Sequence, residues 1–446
     1  MKLNLDKKRI WDLCQENKWI IFILTLLFFE RIIALFILGF RYNVNSDDIS
    51  YLISGIEFAK SGTLTMHGTV SAQIMPGMTV LIAFFSSFLG DYSTNGLWIA
   101  LKFSYLLMGV ATAYYTFKTV RIFSPLWCAL AAAAFYVLPD LVWMNNLILT
   151  ETPFLMLFIM LLYNTIMLGK TKKNKYFYGC LITYMLALMF KANIAIYPLF
   201  AIVYLLLNKY NIIKLLKQGS ILAVAVLCFI IPWSIRNYSL FDAFIPLTYG
   251  EGNPKLLGTY QGNNYPLDSE LDYQTNVEDV AKIKLAKYYD ENGNLKEPYF
   301  ERYINLQKDG IKASYRNSVW WNTHPKAMLY SYLYYKPKLL LDNIFYWDTV
   351  FEINTDDIKT YQSCIYILSF FSVLSSFLLK KQRKEMFLLL SLFFVNIYIY
   401  AFTFAFGRYS ATLKPLLFIA IGIGLPLIFE LFRKAYNEIK TFKNPV

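Results

Sequence analysis

Charged residues are scarce in this sequence. Asp, Glu, Lys and Arg make up 16% of the 446 residues and hydrophobic residues 57%, whereas about 25% of a soluble domain is charged. Several apolar runs are long enough to cross a bilayer core of about 30 Å. A soluble protein would have to bury all of them at once, so the sequence predicts an all-α membrane protein with many spans.

Cysteine is absent from the long polar stretch 237–357, and the five cysteines lie in or beside apolar segments. This stretch therefore needs no disulfide, although we expect it to face an oxidising compartment. Neither a Gly-x-Gly-x-x-Gly loop nor a Walker-type sequence occurs, which disfavours a nucleotide-sugar or ATP site. No small-residue cleavage site follows the apolar run 19–40, so we expect it to be retained as the first span.

The net charge of +13 does not point to nucleic acid, because the cations are not arranged in a basic stripe with interleaved aromatics. They lie in short runs beside apolar segments, at residues 7–9, 170–175, 209–217, 380–384 and 433–434. Such runs are typical of cytoplasmic loops that meet anionic lipid. The sequence therefore predicts a multi-pass cell-membrane protein with residues 237–357 outside and no nucleic-acid partner.

The basic runs orient most of the spans, but the stretch between residues 76 and 150 resists the count. Three apolar runs, 76–89, 97–119 and 126–146, follow a loop that is expected outside, and three crossings would place Glu151 inside. The run 170–175 requires Glu151 to be outside. Either the short run 76–89 lies in the interface, or Pro139 divides the third run into two pieces; the sequence leaves both alternatives open.

Two groups of carboxylates are expected on the outer side. Asp47 and Asp48 follow the first span, and Glu151 begins a later one. Sugar transfer from a phosphate leaving group needs a base for the acceptor hydroxyl, and a carboxylate beside the membrane surface could serve. The alternative is that these residues favour the first turns of helices, with Ser46 and Thr150 as caps.

Three cations also end spans on the outer side, against the positive-inside tendency: Lys191, Arg236 and Arg408. Arginine binds phosphate through two parallel contacts and lysine acts as a point charge, so the three could hold a lipid phosphate. The alternative is that they extend to lipid headgroups. Their coincidence with the carboxylates favours a functional site.

The order of motifs resembles that of the bacterial protein-mannosyltransferase-like and aminoarabinose-transferase-like families of GT-C glycosyltransferases. The shared motifs are Asp47-Asp48-x-x-Tyr51, Pro76-Gly77, Thr150-Glu151, Pro232-Trp233-x-x-Arg236-Asn237-Tyr238 and Gly407-Arg408-Tyr409-x-x-x-x-x-Pro415. The resemblance implies a GT-C helical bundle with a mixed extracytoplasmic loop region. It also implies a polyprenyl-phosphate sugar donor and inversion at the anomeric carbon.

Carried over by position, Asp47 or Asp48 matches the family's catalytic carboxylate, and Glu151 matches a second acidic position near the cavity. Lys191 stands where relatives often carry Arg followed by Pro, but Ala192 replaces that Pro. The residues just before Pro76 are Gln73-Ile74-Met75, whereas aminoarabinose-transferring relatives carry a lysine immediately before that proline. This departure disfavours an aminoarabinose donor.

The organisation expected is a transmembrane module at 1–236 with its first outer loop at 41–75, an outer region with an interfacial helix at 237–357, and C-terminal helices at 358–446. No cofactor is assigned, and a divalent metal held by Asp47, Asp48, Glu151 and His67 stays open. The acceptor can be a glycan, a lipid or a protein. The rival function is a lipid-linked oligosaccharide flippase or polysaccharide polymerase, but the inverted repeats expected of a transporter are not found.

Overall fold

The computed structural model describes residues 2–262 and 265–443, and the side chains of 17–262 and 265–439. The basic run at 7–9, which served to orient the first span, lies outside the described side chains. The helices of the described residues are, in chain order, α1 (Lys2–Leu38), α2 (Asp47–Ser61), α3 (Gly77–Leu89), α4 (Asn95–Arg121), α5 (Leu126–Ala134), α6 (Pro139–Met144), α7 (Glu151–Thr171), α8 (Asn174–Phe190), α9 (Tyr197–Leu207), α10 (Ile212–Phe241), α11 (Gly252–Gly258), α12 (Asp279–Leu285), α13 (Phe300–Thr323), α14 (Pro325–Tyr330), α15 (Lys336–Asp342), α16 (Thr355–Leu379), α17 (Arg383–Ala401), α18 (Gly407–Ser410) and α19 (Lys414–Lys443).

The protein is a multi-pass, helical membrane protein, as its composition predicted. Seven helices of the described chain are long and apolar enough to cross a membrane, and three shorter apolar helices accompany them. Among the described residues, sheet is confined to the two-residue strands β1 (Thr65–Met66) and β2 (Thr69–Val70), which pair antiparallel in the loop after α2. The region expected to be mixed, between α10 and α16, consists mainly of α11–α15, with two isolated antiparallel bridges among its described residues, Tyr289 with Leu295 and Val350 with Ile353.

The structure settles the count of spans before Glu151. Helix α3 has 13 residues, about 20 Å at 1.5 Å per residue, which is too short to cross the bilayer core. Its start packs against the end of α8, because a Cβ on Gly77 would lie 2.5 Å from the carbonyl oxygen of Met189. The segment after it returns to the end of α1, where Arg41 binds the Asn95 side chain at 3.0 Å. Both ends of α3 are therefore on one side of the bundle, and α3 does not cross.

The break at Pro139 is also present, although it does not stop the chain from crossing. A short 3-10 turn at Phe135–Val137 follows α5, and Leu138 takes an extended ψ of 128° before α6 begins at Pro139. Proline disfavours helical backbone in the residue before it. The two pieces follow one another through the bundle, so Glu151 begins α7 on the same side as the end of α1.

Small residues let the long helices approach closely. A Cβ on Gly422 of α19 would lie 2.7 Å from Val120 of α4, and one on Gly424 would lie 2.3 Å from Ser372 of α16. Close backbone approach of this kind is the usual basis of helix packing in membranes. The buried pair Asp140–Lys414 joins α6 to the start of α19.

The two ends of the bundle differ in charge. At one end, lysines form ion pairs with glutamates of neighbouring helices. Lys381 pairs with Glu430 of α19 at 2.7 Å, and Lys170 of α7 pairs with Glu385 of α17 at 3.8 Å. The other end, where α7 and α19 begin and α8 ends, carries the carboxylates and cations described next. We call it the site end.

Candidate active site

Four of the six residues singled out in the sequence line one open cavity at the site end, with a volume of about 820 Å³. Asp47 is the first residue of α2, and Glu151 is the first residue of α7. Lys191 follows α8 on extended backbone, and Arg408 lies in the single turn α18. Two helix N-termini therefore present carboxylates, a placement that the helix dipole favours, and two breaks between helices present cations.

Glu151 is the centre of the cluster. Its side chain is fully buried, and its Oε1 accepts hydrogen bonds from Lys191 Nζ at 2.7 Å and from Arg408 Nε at 2.7 Å. A buried carboxylate is stable only when such partners compensate its desolvation. Glu151 therefore holds both cations in place, and its burial keeps it from direct contact with a bulky substrate.

Asp47 is the accessible carboxylate of the cavity. Its side chain is 38% exposed, and its Oδ2 lies 2.7 Å from the terminal nitrogen Nη1 of Arg408. Arg408 thus joins Asp47 and Glu151 through two different nitrogens while remaining 12% exposed itself. Two of its nitrogens are held by carboxylates, so the guanidinium faces the cavity in a fixed orientation.

Asp48, adjacent in sequence, is placed differently. It is 1% exposed, and its two carboxylate oxygens accept backbone N–H groups from Val44 at 2.7 Å and from Ser46 and Ile49 at 3.0 Å. These hydrogen bonds satisfy the backbone N–H groups of the loop and first turn at the start of α2. Asp48 does not line the cavity, and its contacts match the helix-entry alternative raised by the sequence.

Arg236 is also directed away from the cavity. Its guanidinium donates to the carbonyl oxygens of Ser71 at 2.8 Å and Leu64 at 3.4 Å, and it stacks over the Trp233 ring at 5.2 Å. It ties α10 to the loop after α2. Its donors are used by protein atoms rather than facing the cavity, so Arg236 supports the fold of the loop after α2.

Aromatic residues complete the cavity, and the sequence did not single them out as site residues. Tyr400 stacks flat on Tyr409 at 4.0 Å between ring centres, and the Tyr400 hydroxyl accepts from Asn193 at 2.9 Å. Lys191 lies 5.7 Å from the centre of the Tyr409 ring. Burial raises the pKa of Tyr51, one turn after Asp47, so its hydroxyl stays protonated and can donate. Because Tyr51 follows Asp47 by four residues, one helical turn, the sequence spacing could have predicted that both lie on the same face of α2.

Within the described residues, no group of three or more His, Cys, Asp or Glu side chains is close enough to hold a metal ion. His67, considered in the sequence as a fourth ligand, does not line the cavity, and its Nδ1 lies 3.1 Å from the Ser50 hydroxyl. Burial lowers its pKa, with a further contribution from the charge of Arg302. The carboxylate oxygens of Glu151 and Asp48 are already engaged by lysine, arginine or backbone donors.

Residues 74–235 match the family model described as dolichyl-phosphate-mannose-protein mannosyltransferase. The matched segment carries Glu151 and Lys191. The archaeal oligosaccharyltransferase AglB from Archaeoglobus fulgidus shares the fold, with a TM-score of 0.53, 13% identity, and 94% of this chain aligned to 52% of that chain. The chain therefore has the fold of the GT-C membrane enzymes.

The chain is also similar to ArnT from Cupriavidus metallidurans in the apo state, with a TM-score of 0.39, 14% identity, and 92% of this chain aligned to 78% of that chain. It spans about half the length of the archaeal enzyme. No curated protein matches it significantly in sequence. The resemblance predicted from the motifs agrees with the family-model match over residues 74–235, and the predicted helical membrane fold is confirmed.

Proposed function

We propose that this protein transfers a sugar from a polyprenyl-phosphate donor to an acceptor hydroxyl at the extracytoplasmic face of the cell membrane. The observation that carries the proposal is the arrangement of Asp47, Glu151, Lys191 and Arg408 around one cavity. It supplies an accessible carboxylate and two fixed cations at the end of a membrane bundle, where a lipid headgroup can reach them.

In this proposal Asp47 is the general base. The acceptor oxygen forms a bond to the anomeric carbon, the bond from that carbon to the phosphate oxygen breaks, and Asp47 takes the hydroxyl proton. The lipid phosphate leaves with the negative charge, which Arg408 and Lys191 stabilise. Glu151 is a positioning residue, since it touches the cations rather than the reacting atoms.

The donor class is supported by the names of similar proteins. The matching family is described by a dolichyl-phosphate sugar donor, and the archaeal oligosaccharyltransferase was solved with a dolichol-phosphate. The apolar helices that surround the cavity give a long isoprenoid chain a place in the bilayer. The basic residues at the opposite end of the bundle support a cytoplasmic orientation for that end, so the site end would face outward.

The test is sugar transfer by the purified protein, with release of polyprenyl phosphate from a labelled polyprenyl-phosphate sugar as the readout. Asp47→Asn removes the base and keeps the shape, so we expect turnover to fall by about a hundredfold or more. Asp290→Asn, an exposed turn aspartate, is the matched control and should keep the wild-type rate. Wild-type turnover in Asp47→Asn would show that another group accepts the proton.

A further inference from the structure

The outer region carries a second, larger cavity that the site does not use. It is an open groove of about 1600 Å³ between α12 and α13, with α11 at its side. Two glycines set its shape, because a Cβ on Gly252 would lie 1.9 Å from the carbonyl oxygen of Leu306 and 3.0 Å from the nitrogen of Gly310. This contact brings α11 against α13 along the groove, which is about twice the volume of the site cavity.

The groove lies beside the site cavity along two segments of chain. Thr248 lines the site cavity, and Glu251, three residues later, lines the groove. On α13, Arg302 binds the side chain of Gln73 at 3.1 Å, and Gln73 lines the site cavity. The next residue, Tyr303, lines the groove. A chain lying in the groove would therefore have one end at the entrance to the site.

The lining of the groove is polar and apolar in similar measure, and its polar groups both donate and accept. Exposed or half-buried amides and hydroxyls line it: Asn276, Gln307, Ser314, Tyr315 and Ser318. Such groups pair with sugar hydroxyls, which also donate and accept. The tyrosine ring offers an apolar face to the C–H side of a sugar ring.

The charges of the groove are almost balanced. Lys255 pairs with Glu251 at 2.9 Å, and Lys287 pairs with Asp242 at 2.9 Å. Lys284 forms no ion pair with the described residues and adds one positive charge. This balance suits a hydroxyl-rich chain, whereas a strongly anionic polymer would call for a row of unpaired cations.

Resting on the proposed function, we propose that this groove binds the acceptor and that the acceptor is a glycan chain. A peptide is the less suitable occupant for two reasons. Among the described residues of this region no strand offers an edge for a bound peptide to extend, and the groove lacks the continuous apolar floor that an amphipathic helix requires. The glycan would lie along α13 with its reacting hydroxyl toward Asp47.

The first experiment measures binding without activity. Ser314→Cys, inside the groove, and Asn292→Cys, in an exposed turn outside it, are labelled with an impermeant maleimide on the full-length protein in detergent, and each introduced site is followed by mass spectrometry. The probe is the pool of oligosaccharides released by mild acid from the envelope of the producing cell. We expect the pool to slow labelling at Ser314→Cys about tenfold at ten times its Kd, and to leave Asn292→Cys unchanged.

Other results would overturn the proposal. Equal slowing at both positions would show unspecific crowding, and no slowing at either would show that the groove does not bind glycans. Protection by a pool of tryptic peptides, with none by the oligosaccharides, would assign the groove to a protein.

The second experiment separates this inference from the proposed function. Gln307→Ala should reduce transfer into endogenous acceptor about tenfold while binding of undecaprenyl phosphate is unchanged, and Asn292→Ala should alter neither. If Gln307→Ala transfers sugar normally and the oligosaccharides do not protect Ser314→Cys, the groove does not bind the acceptor, and the proposed transferase function is unaffected. If the oligosaccharides protect Ser314→Cys from labelling but the wild-type protein transfers no sugar, the proposed function and the acceptor role are both refuted.

Discussion

Replacing Arg408 by lysine tests the proposed phosphate site most directly. Arg408 reaches two carboxylates through two nitrogens, Nη1 to Asp47 and Nε to Glu151, both at 2.7 Å. A lysine keeps the charge but has one nitrogen and no planar fork, so it loses at least one of these contacts and its fixed orientation. A charge-assisted hydrogen bond contributes about 1.5–3 kcal/mol. We therefore expect Arg408→Lys to weaken donor use by about ten- to a hundredfold.

The matched control is Arg236→Lys, because the same change is made on a guanidinium that faces protein carbonyl oxygens. We expect it to lower the melting temperature and to leave the KM for the donor unchanged. The assay is a donor titration with both purified variants, beside direct binding of undecaprenyl phosphate. Unchanged kinetics in Arg408→Lys would refute the reasoning, and so would an equal loss of donor affinity in both variants. Lysine is a cleaner test than alanine, which would leave the buried Glu151 with only one of its two cations.

Three further predictions follow from the contacts. Asp48→Ala leaves three backbone N–H groups without their acceptor, so we expect a loss of about 1–3 kcal/mol in stability, measured as a lower melting temperature, with the donor KM of the folded protein unchanged; an unaltered melting temperature would contradict the capping role. Cysteines at Asn174 and Asn292 should react from opposite sides of intact cells, and reaction of both from one side would undo the orientation. Lys336 is fully buried without a hydrogen-bond partner, and burial lowers its pKa to about 7. Between pH 7 and about 10.5 the unfolded chain binds more protons at this lysine than the folded protein does, so the stability of the folded protein should rise with pH over that range. Lys336→Met should flatten this rise, measured as the melting temperature against pH. An identical pH profile in Lys336→Met would refute this assignment.

The helical class and the spans were predictable because the bilayer admits few solutions. A run such as α16 must close its backbone hydrogen bonds internally, so apolar length alone indicates a helix. The path before Glu151 was not predictable, because 13 apolar residues fit either an interfacial helix or a short span. What decides it is the contact of Gly77 with the end of α8. That contact joins residues more than a hundred positions apart, and periodicity along one segment carries no trace of it.

The candidate site was predictable by residue type and only partly by residue. The sequence identified carboxylates and cations at span ends that it predicted to lie outside, and four of them share the cavity. It could not separate Asp47 from Asp48, because neighbours at a helix start face different directions and only the packing of α2 determines which is buried. It could not separate Arg408 from Arg236 either, since both end spans beside aromatics. Their different surroundings, carboxylates for one and carbonyl oxygens for the other, come from the folded loops.

The resting charges of the site bear on how the proposed base becomes available. Two carboxylates and two cations balance in the cavity, and Arg408 holds Asp47 in an ion pair. A donor phosphate brings another negative charge, which competes with Asp47 for Arg408 but not with Glu151, because Glu151 is fully buried behind both cations. The more exposed pair is therefore the one that donor binding weakens. In the proposed reaction Asp47 would lose part of its hold on Arg408 as the phosphate enters, and its carboxylate would then be free to accept the acceptor's proton. Glu151 keeps Lys191 and Arg408 in place throughout, so donor binding and activation of the base are two consequences of one contact.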